Sequence, residues 1–204
     1  MSGNEVHRAP TGIEPHLITE QEVFDRLALA ETWPDVLAKF TEISKEVEDY
    51  EENCIGEFVT PGFAQTLMDG TVSYLLKHGE EPQTILKQLV PAVNEVAKSY
   101  NTSGFLAGLG MSLADNDMVA QAIELLDTQS EFIAVEHQPI VLLAIAETFA
   151  RDGEKTKAID YMIRAHKTNR GFDPEDDVAF VVRLNDVITS LVKITVFPGQ
   201  SADS

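Results

Sequence analysis

The chain has 204 residues, 44% of them hydrophobic and 24% charged, with 34 acidic against 15 basic side chains and a net charge of −19. That length suffices for one core, or for one domain with flexible ends, and no apolar run approaches the ~18 residues that suggest a membrane span. So acidic a balance disfavours nucleic acid and anionic membrane surfaces, which are polyanions that attract basic patches.

Cys54 is the only cysteine, which excludes an internal disulfide and a cysteine-based metal cluster. Met1 to Arg8 lack a basic start followed by an apolar stretch. No secretory signal is therefore expected, and the composition points to a reduced, cytoplasmic setting.

Residues 1–19, with Pro10, Gly12 and Pro15, predict a flexible N-terminal segment. A single helical domain is expected over residues 20–195. Its first part, residues 20–60, reads as acidic N-terminal helices: a short one over 20–30, then one opened by Trp33-Pro34 and carried by Val36, Leu37, Phe40, Ile43 and Val47. The run Glu46, Glu48, Asp49, Glu51 and Glu52 lacks the glycine and ligand spacing of a calcium loop and is expected to be a solvated helix end.

Residues 61–102 predict a degenerate helical repeat. Phe63, Leu67, Val72, Leu75 and Leu76 mark one helix, stopped at His78-Gly79, and Ile85, Leu86, Leu89, Val93 and Val96 mark the next. Pro91 interrupts that second helix and predicts a kink or a break.

Two matched units follow over residues 103–172. Leu106-Ala107-Gly108-Leu109-Gly110 through Ala122-Ile123 repeats, 36 residues on, as Leu142-Leu143-Ala144-Ile145-Ala146 through Ala158-Ile159. Helices are predicted over 104–114, with Ser103 as its cap, 118–132, 139–151 and 154–167, with turns at Asp115-Asn116-Asp117 and Asp152-Gly153. A period in the mid-thirties with small residues at fixed places marks stacked helix pairs. Residues 173–195, opening at Asp173-Pro174-Glu175, predict a C-terminal capping helix, and 196–204 a flexible tail.

Residues 139–172 resemble a tetratricopeptide repeat. Ile145-Ala146 stands where that family has its Leu-Gly pair, Phe149 at its aromatic, Ala158 and Ala165 at its small positions and Met162 at its large apolar one. Residues 103–138 resemble it through Leu109-Gly110, Leu113, Ala122 and Leu126, with Gln129 in place of the second small residue. Neither unit has the family's opening tryptophan or closing proline. The resemblance implies an all-α fold of antiparallel helix pairs stacked as a short α-solenoid.

No catalytic constellation emerges. Gly104, Gly108 and Gly110 follow no strand and suit close helix packing better than a phosphate cradle. Gly110-Met111-Ser112-Leu113-Ala114 half-mimics a nucleophile elbow but falls inside a helix. The five histidines show no metal-ligand spacing, and His78 and His137 fall at turns, where solvation is expected. Asn101-Thr102-Ser103 is a glycosylation sequon without use in a cytoplasmic protein. The expectation is a non-enzyme without cofactor or metal.

Function is then expected from a groove. In the resembling family the first helix of each pair lines the concave side, which implies Gly104, Ala107, Met111 and Ala114 in one unit and Ile140, Leu143, Glu147 and Arg151 in the next. These residues suit a peptide or protein segment with apolar anchors and basic flanks. The expected role is an adaptor or chaperone-like protein-binding module. A structural subunit of a larger or self-associating assembly, and a ligand- or peptide-sensing regulator without its own DNA-binding element, are the alternatives. No lysine or arginine occurs between Lys98 and Arg151, an interval with seven acidic residues, and residues 151–170 then carry six basic side chains against three acidic. This pattern reads either as solubility charge on solvated helix faces or as a polar docking surface, in which Arg151 anchors one acidic group of a ligand.

Overall fold

The computed structural model describes residues 18–50, 61–97, 101–168 and 178–196. These form α1 (Glu20–Leu27), α2 (Trp33–Tyr50), α3 (Pro61–Lys77), α4 (Pro82–Val96), α5 (Thr102–Asp115), α6 (Val119–Gln129), α7 (Gln138–Arg151), α8 (Lys155–Thr168) and α9 (Val178–Val196), and no strand occurs among the described residues. Cys54 and the proposed start of the last helix at Asp173-Pro174-Glu175 lie outside them.

Local chemistry accounts for most helix ends. Thr19 and Glu22 close a capping box on α1. Proline occupies the first turn of α4 and α7, where a missing N–H costs nothing. Pro91 does not break α4, which runs through it to Val96. Pro91 is exposed, so water can take the Lys87 carbonyl that loses its partner. Ser103 lies inside α5 and does not cap it; its hydroxyl accepts from the Ala134 N–H at 2.7 Å and sits 2.7 Å from His137 Nδ1. His137 is therefore held between helices. His78 likewise pairs its Nδ1 with the Tyr74 carbonyl at 2.8 Å.

The sequence echo is an echo of geometry. In the α5–α6 turn, Asn116, Asp117 and Met118 donate their N–H groups to the carbonyls of Ser112, Ala114 and Leu113. In the α7–α8 turn, 36 residues on, Asp152, Gly153 and Glu154 donate to Thr148, Ala150 and Phe149. The α3–α4 turn repeats the pattern: His78, Gly79 and Glu80 donate to Tyr74, Leu76 and Leu75. The middle residue has positive φ each time, 81° at Gly79, 61° at Asp117 and 79° at Gly153. Glycine takes that conformation freely, and aspartate is among the residues that tolerate it best.

The odd-numbered helices α1, α3, α5, α7 and α9 touch in chain order as one row, while α2, α4 and α6 touch in order behind it and α8 packs on α7. Helices α5 and α7 run side by side in the same direction. Contacts between Ser103 and His137, Ala114 and Thr148, and Asp117 and Arg151 each join residues 34 apart. Ala122, Ala158 and Ala165, the small residues singled out in the echo, are fully buried.

The row is drawn together at glycines. A Cβ on Gly108 would lie 2.7 Å from the Gln65 nitrogen and 2.8 Å from the Ala64 carbonyl carbon, and one on Gly70 would lie 2.6 Å from Val23 Cβ. The neighbour at Gly108 is backbone, which cannot swing aside. Helix propensity alone would make Gly108→Ala stabilising by about 1 kcal/mol, whereas overpacking costs about 1–3 kcal/mol. We expect a net loss, read as a lower urea midpoint with unchanged slope. A raised midpoint would mean that α3 and α5 do not meet so closely.

Candidate functional site

The residues expected to line the groove are mostly core. Gly104, Ala107, Met111, Ala114, Ile140 and Leu143 are buried. The expectation of partial exposure at Met111 and Leu143 is thus corrected: both are 0% exposed. The cause is enclosure. Helix α5 has α3 on one side, α7 on the other and α6 behind, and every residue from Gly104 to Ala114 is buried. Helix α7 is enclosed in the same way by α5, α8 and α9. A signal for this was present in the chain. From Thr102 to Ala114 there is no charged residue, and a helix without a polar face belongs inside.

The two charged members of the expected row are already engaged within the chain. Arg151 donates to Asp117 Oδ1 at 2.9 Å and to Thr148 Oγ1 at 3.1 Å, so its carboxylate partner is internal. Glu147 accepts from Arg183 Nη1 at 3.1 Å.

Arg183, on α9, is the centre of the most elaborate polar cluster among the described residues. It grips Asp115 at the end of α5 in bidentate fashion, Nη1 to Oδ1 at 2.8 Å and Nη2 to Oδ2 at 2.6 Å. Gln65 of α3 donates to the same Asp115 Oδ2 at 2.7 Å. One carboxylate therefore links α3, α5 and α9, and the guanidinium adds α7 through Glu147. Burial would lower the Arg183 pKa, but the Asp115 hydrogen bonds and the charges of Asp115 and Glu147 outweigh it and raise it. Burial raises the Glu147 pKa against the pull of Arg183. Sequence reasoning missed this cluster, since it named neither Arg183 nor Asp69.

Asp69 of α3 stands at the edge of the cluster with Oδ1 buried and short of a well-formed hydrogen bond, and Ser112 Oγ, the hydroxyl beside it, is buried in the same condition. Burial pushes the Asp69 carboxyl up to about 6; Ser112 and the Arg183 charge ease the rise, while Asp115 and Glu20 add to it. In the acidic run of α2, Glu46 and Asp49 are exposed as expected, and Glu51 and Glu52 lie outside the described residues. Glu48 is the correction: it is buried and accepts from Asn101 Nδ2 at 3.1 Å, while Glu46 and Glu42 accept from Arg26.

Two shallow clefts open elsewhere. One of about 260 Å³ lies between the α1–α2 turn and the end of α3, beside Trp33, Tyr74 and His78. The other, of about 330 Å³, lies between α6 and α8, floored by Leu126 and Leu142 with Arg164 and Lys167 on its rim. Among the described residues no three or more His, Cys, Asp or Glu side chains gather as a metal site would require, and no helix is long and apolar enough to cross a membrane.

The exposed apolar surface concentrates on α9. Phe180 and Val187 enter the core, whereas Val181, Val182, Ile188 and Val192 face solvent, the four between 44% and 54% exposed. Leu29, Phe132, Val135 and Ile163 are exposed on other elements. An end cap for a repeat array needs a polar outer face. The exposed side of α9 is mixed: Asn185, Asp186, Thr189 and Lys193 stand beside Val181, Val182, Ile188 and Val192. Comparison with protein-family models, curated proteins and solved structures finds no match to this chain.

The Asp69 environment yields a prediction with a definite sign. Its folded pKa lies above the ordinary carboxylate value, so the native state holds an extra proton between about pH 4 and 6, and the associated stability is lost as pH rises through that window. Asp69→Asn removes the penalty of the buried charge. It should raise the stability at pH 8 by on the order of 1–3 kcal/mol, read as a higher melting temperature, and change it little at pH 4. An equal gain at both pH values would show that the charge is not the cause.

Proposed function

We infer that this chain is a protein-interaction module, an adaptor or chaperone-like protein built from stacked helical hairpins, that docks its partner on the outer face of α9. The repeated turn geometry 36 residues apart and the ordered row of odd helices support a tetratricopeptide-like stacking. The observation that carries the reading is the stripe Val181, Val182, Ile188 and Val192, exposed on a helix whose other side is already in the core. Apolar side chains grouped on an exposed helix surface mark a site of protein contact. The partner contributes apolar anchors, and the concave row assigned from the family resemblance is replaced by this end face. No catalytic role is assigned to the chain.

The structural-subunit alternative uses the same face, buried permanently in an assembly. It is favoured by one detail: the charged groups nearest the groove are satisfied within the chain, which leaves them no obvious ligand to exchange.

Two double variants test the reading. Val182→Glu with Val192→Glu changes exposed side chains and should leave stability within about 0.5 kcal/mol, while abolishing recovery of a specific partner from the native cell. Met111→Ala with Leu143→Ala cuts fully buried side chains and should cost several kcal/mol, since single truncations of this kind cost about 2–5 kcal/mol. Intact partner recovery by the first variant would refute docking on α9. An unchanged melting temperature in the second would return those residues to a groove.

A further inference from the structure

We propose that the cleft between the α1–α2 turn and the end of α3 holds an arginine side chain presented by a protein partner. The cleft lies at the α1 end of the row and stands independently of the docking face on α9. Its lining includes two carboxylates, Glu31 and Glu80, and no lysine or arginine. Among the described residues neither carboxylate enters a hydrogen bond or an ion pair. By contrast, Arg26 takes up Glu42 and Glu46, Gln83 takes up Glu124, and Arg183 takes up Asp115 and Glu147. Lys77, next in sequence to His78, does not fill the cleft, because its ammonium lies over the Phe24 ring at 4.7 Å.

The second feature of the cleft is aromatic. Trp33, the only tryptophan of the chain, is half-buried there, and His78 is exposed. Tyr74 is buried and stacks on His78, with ring centroids 4.1 Å apart and planes tilted by 34°. A carbonyl only accepts, so the 2.8 Å contact between His78 Nδ1 and the Tyr74 carbonyl puts the proton on Nδ1. In neutral His78 the other nitrogen, Nε2, is then an acceptor. Both walls are held by the chain itself. The Thr32 N–H and hydroxyl donate to Asp35 Oδ2 at 3.0 and 2.7 Å, which ties the turn to the start of α2. A preformed site avoids the ordering cost of binding.

Unpaired carboxylates, aromatic faces and a nitrogen acceptor, with no cation beside them, are the complement of a guanidinium. Its plane stacks on a ring while its several N–H groups reach separate acceptors at once. The ammonium of lysine is compact and more strongly hydrated, so it gains less in an open cleft. Leu29, 75% exposed, lies between the lining residues Ala28 and Ala30 and offers contact to an apolar neighbour of that arginine. This favours a peptide segment over a free small cation. The net charge of −19 draws a basic segment towards the chain.

Trp33 emission reports on this cleft alone, so a fluorescence titration of the full chain reads the site directly. At constant ionic strength, acetyl-leucyl-arginyl-leucinamide, raised to about 20 mM to reach weak binding, should change the emission saturably. The lysyl peptide should bind more weakly, and the citrullyl peptide, isosteric but uncharged, should give no saturable change. Glu31→Gln with Glu80→Gln should weaken the arginyl peptide about tenfold, as loss of two exposed charge pairs does, with the helical circular dichroism signal intact. No saturable response to the arginyl peptide, an equal response to the citrullyl one, or undiminished binding by the double variant overturns the proposal. Equal binding of the lysyl peptide overturns the choice of arginine. Free L-arginine brings a carboxylate that Glu31 and Glu80 repel, so it should bind more weakly than the peptide. Tighter binding of the free amino acid would assign the cleft to a small metabolite and overturn the protein partner.

Discussion

Everything in this fold is arranged around the enclosure of α5. Its residues from Gly104 to Ala114 are all buried, with α3, α6 and α7 on three sides. Such packing requires backbones to approach more closely than ordinary side chains permit, which is the use of Gly108 against the Ala64–Gln65 backbone and of Gly110 against Val141. Neighbouring helices inherit their positions from these crossings. The parallel register of α5 and α7, fixed by contacts between residues 34 apart, follows from two like helices lying in contact along their length.

The polar interactions complete what packing begins. Asp115 closes α5 and receives Gln65 from α3 and the fork of Arg183 from α9, so the last helix is registered against the centre of the row by a charge-assisted pair. The pair is part-buried, and removing either partner would leave the other desolvated. The role of such a group is best understood as fixing alignment, because its net contribution to stability is offset by desolvation. Asp69 and Ser112 are what the arrangement leaves unsatisfied: two buried oxygens beside a cluster whose cation is already committed.

Much of this was legible in the chain. The 36-residue echo named the units whose turns share one hydrogen-bond pattern, and Ala122 and Ala158 were correctly marked as contact points. The reading failed where it let family analogy outweigh composition. Met111 and Leu143 were placed on an open groove because equivalent positions line one elsewhere, although helices without a polar face belong in a core. Arg183 could not be found from spacing, since its partners lie 36 and 68 residues away and are joined only by the packing of the row. The exposed side of α9 did leave a trace: apolar pairs at Val181-Val182 and Val187-Ile188 occupy two faces of a helix, more than one core contact can bury.

The functional picture follows from what the fold consumes and what it leaves over. The helices expected to form a groove are spent on the core, the charged residues near them are paired internally, and α9 keeps Val181, Val182, Ile188 and Val192 in water. Amide hydrogen exchange of the full chain tests the central claim most directly, because amides in a true core exchange only through global opening. If α5 is the enclosed axis, residues 102–115 should be the slowest-exchanging segment, with protection equal to the global unfolding free energy measured in denaturant. Exchange in α5 as fast as in α1, at the end of the row, would contradict the account and reopen α5 as a binding surface.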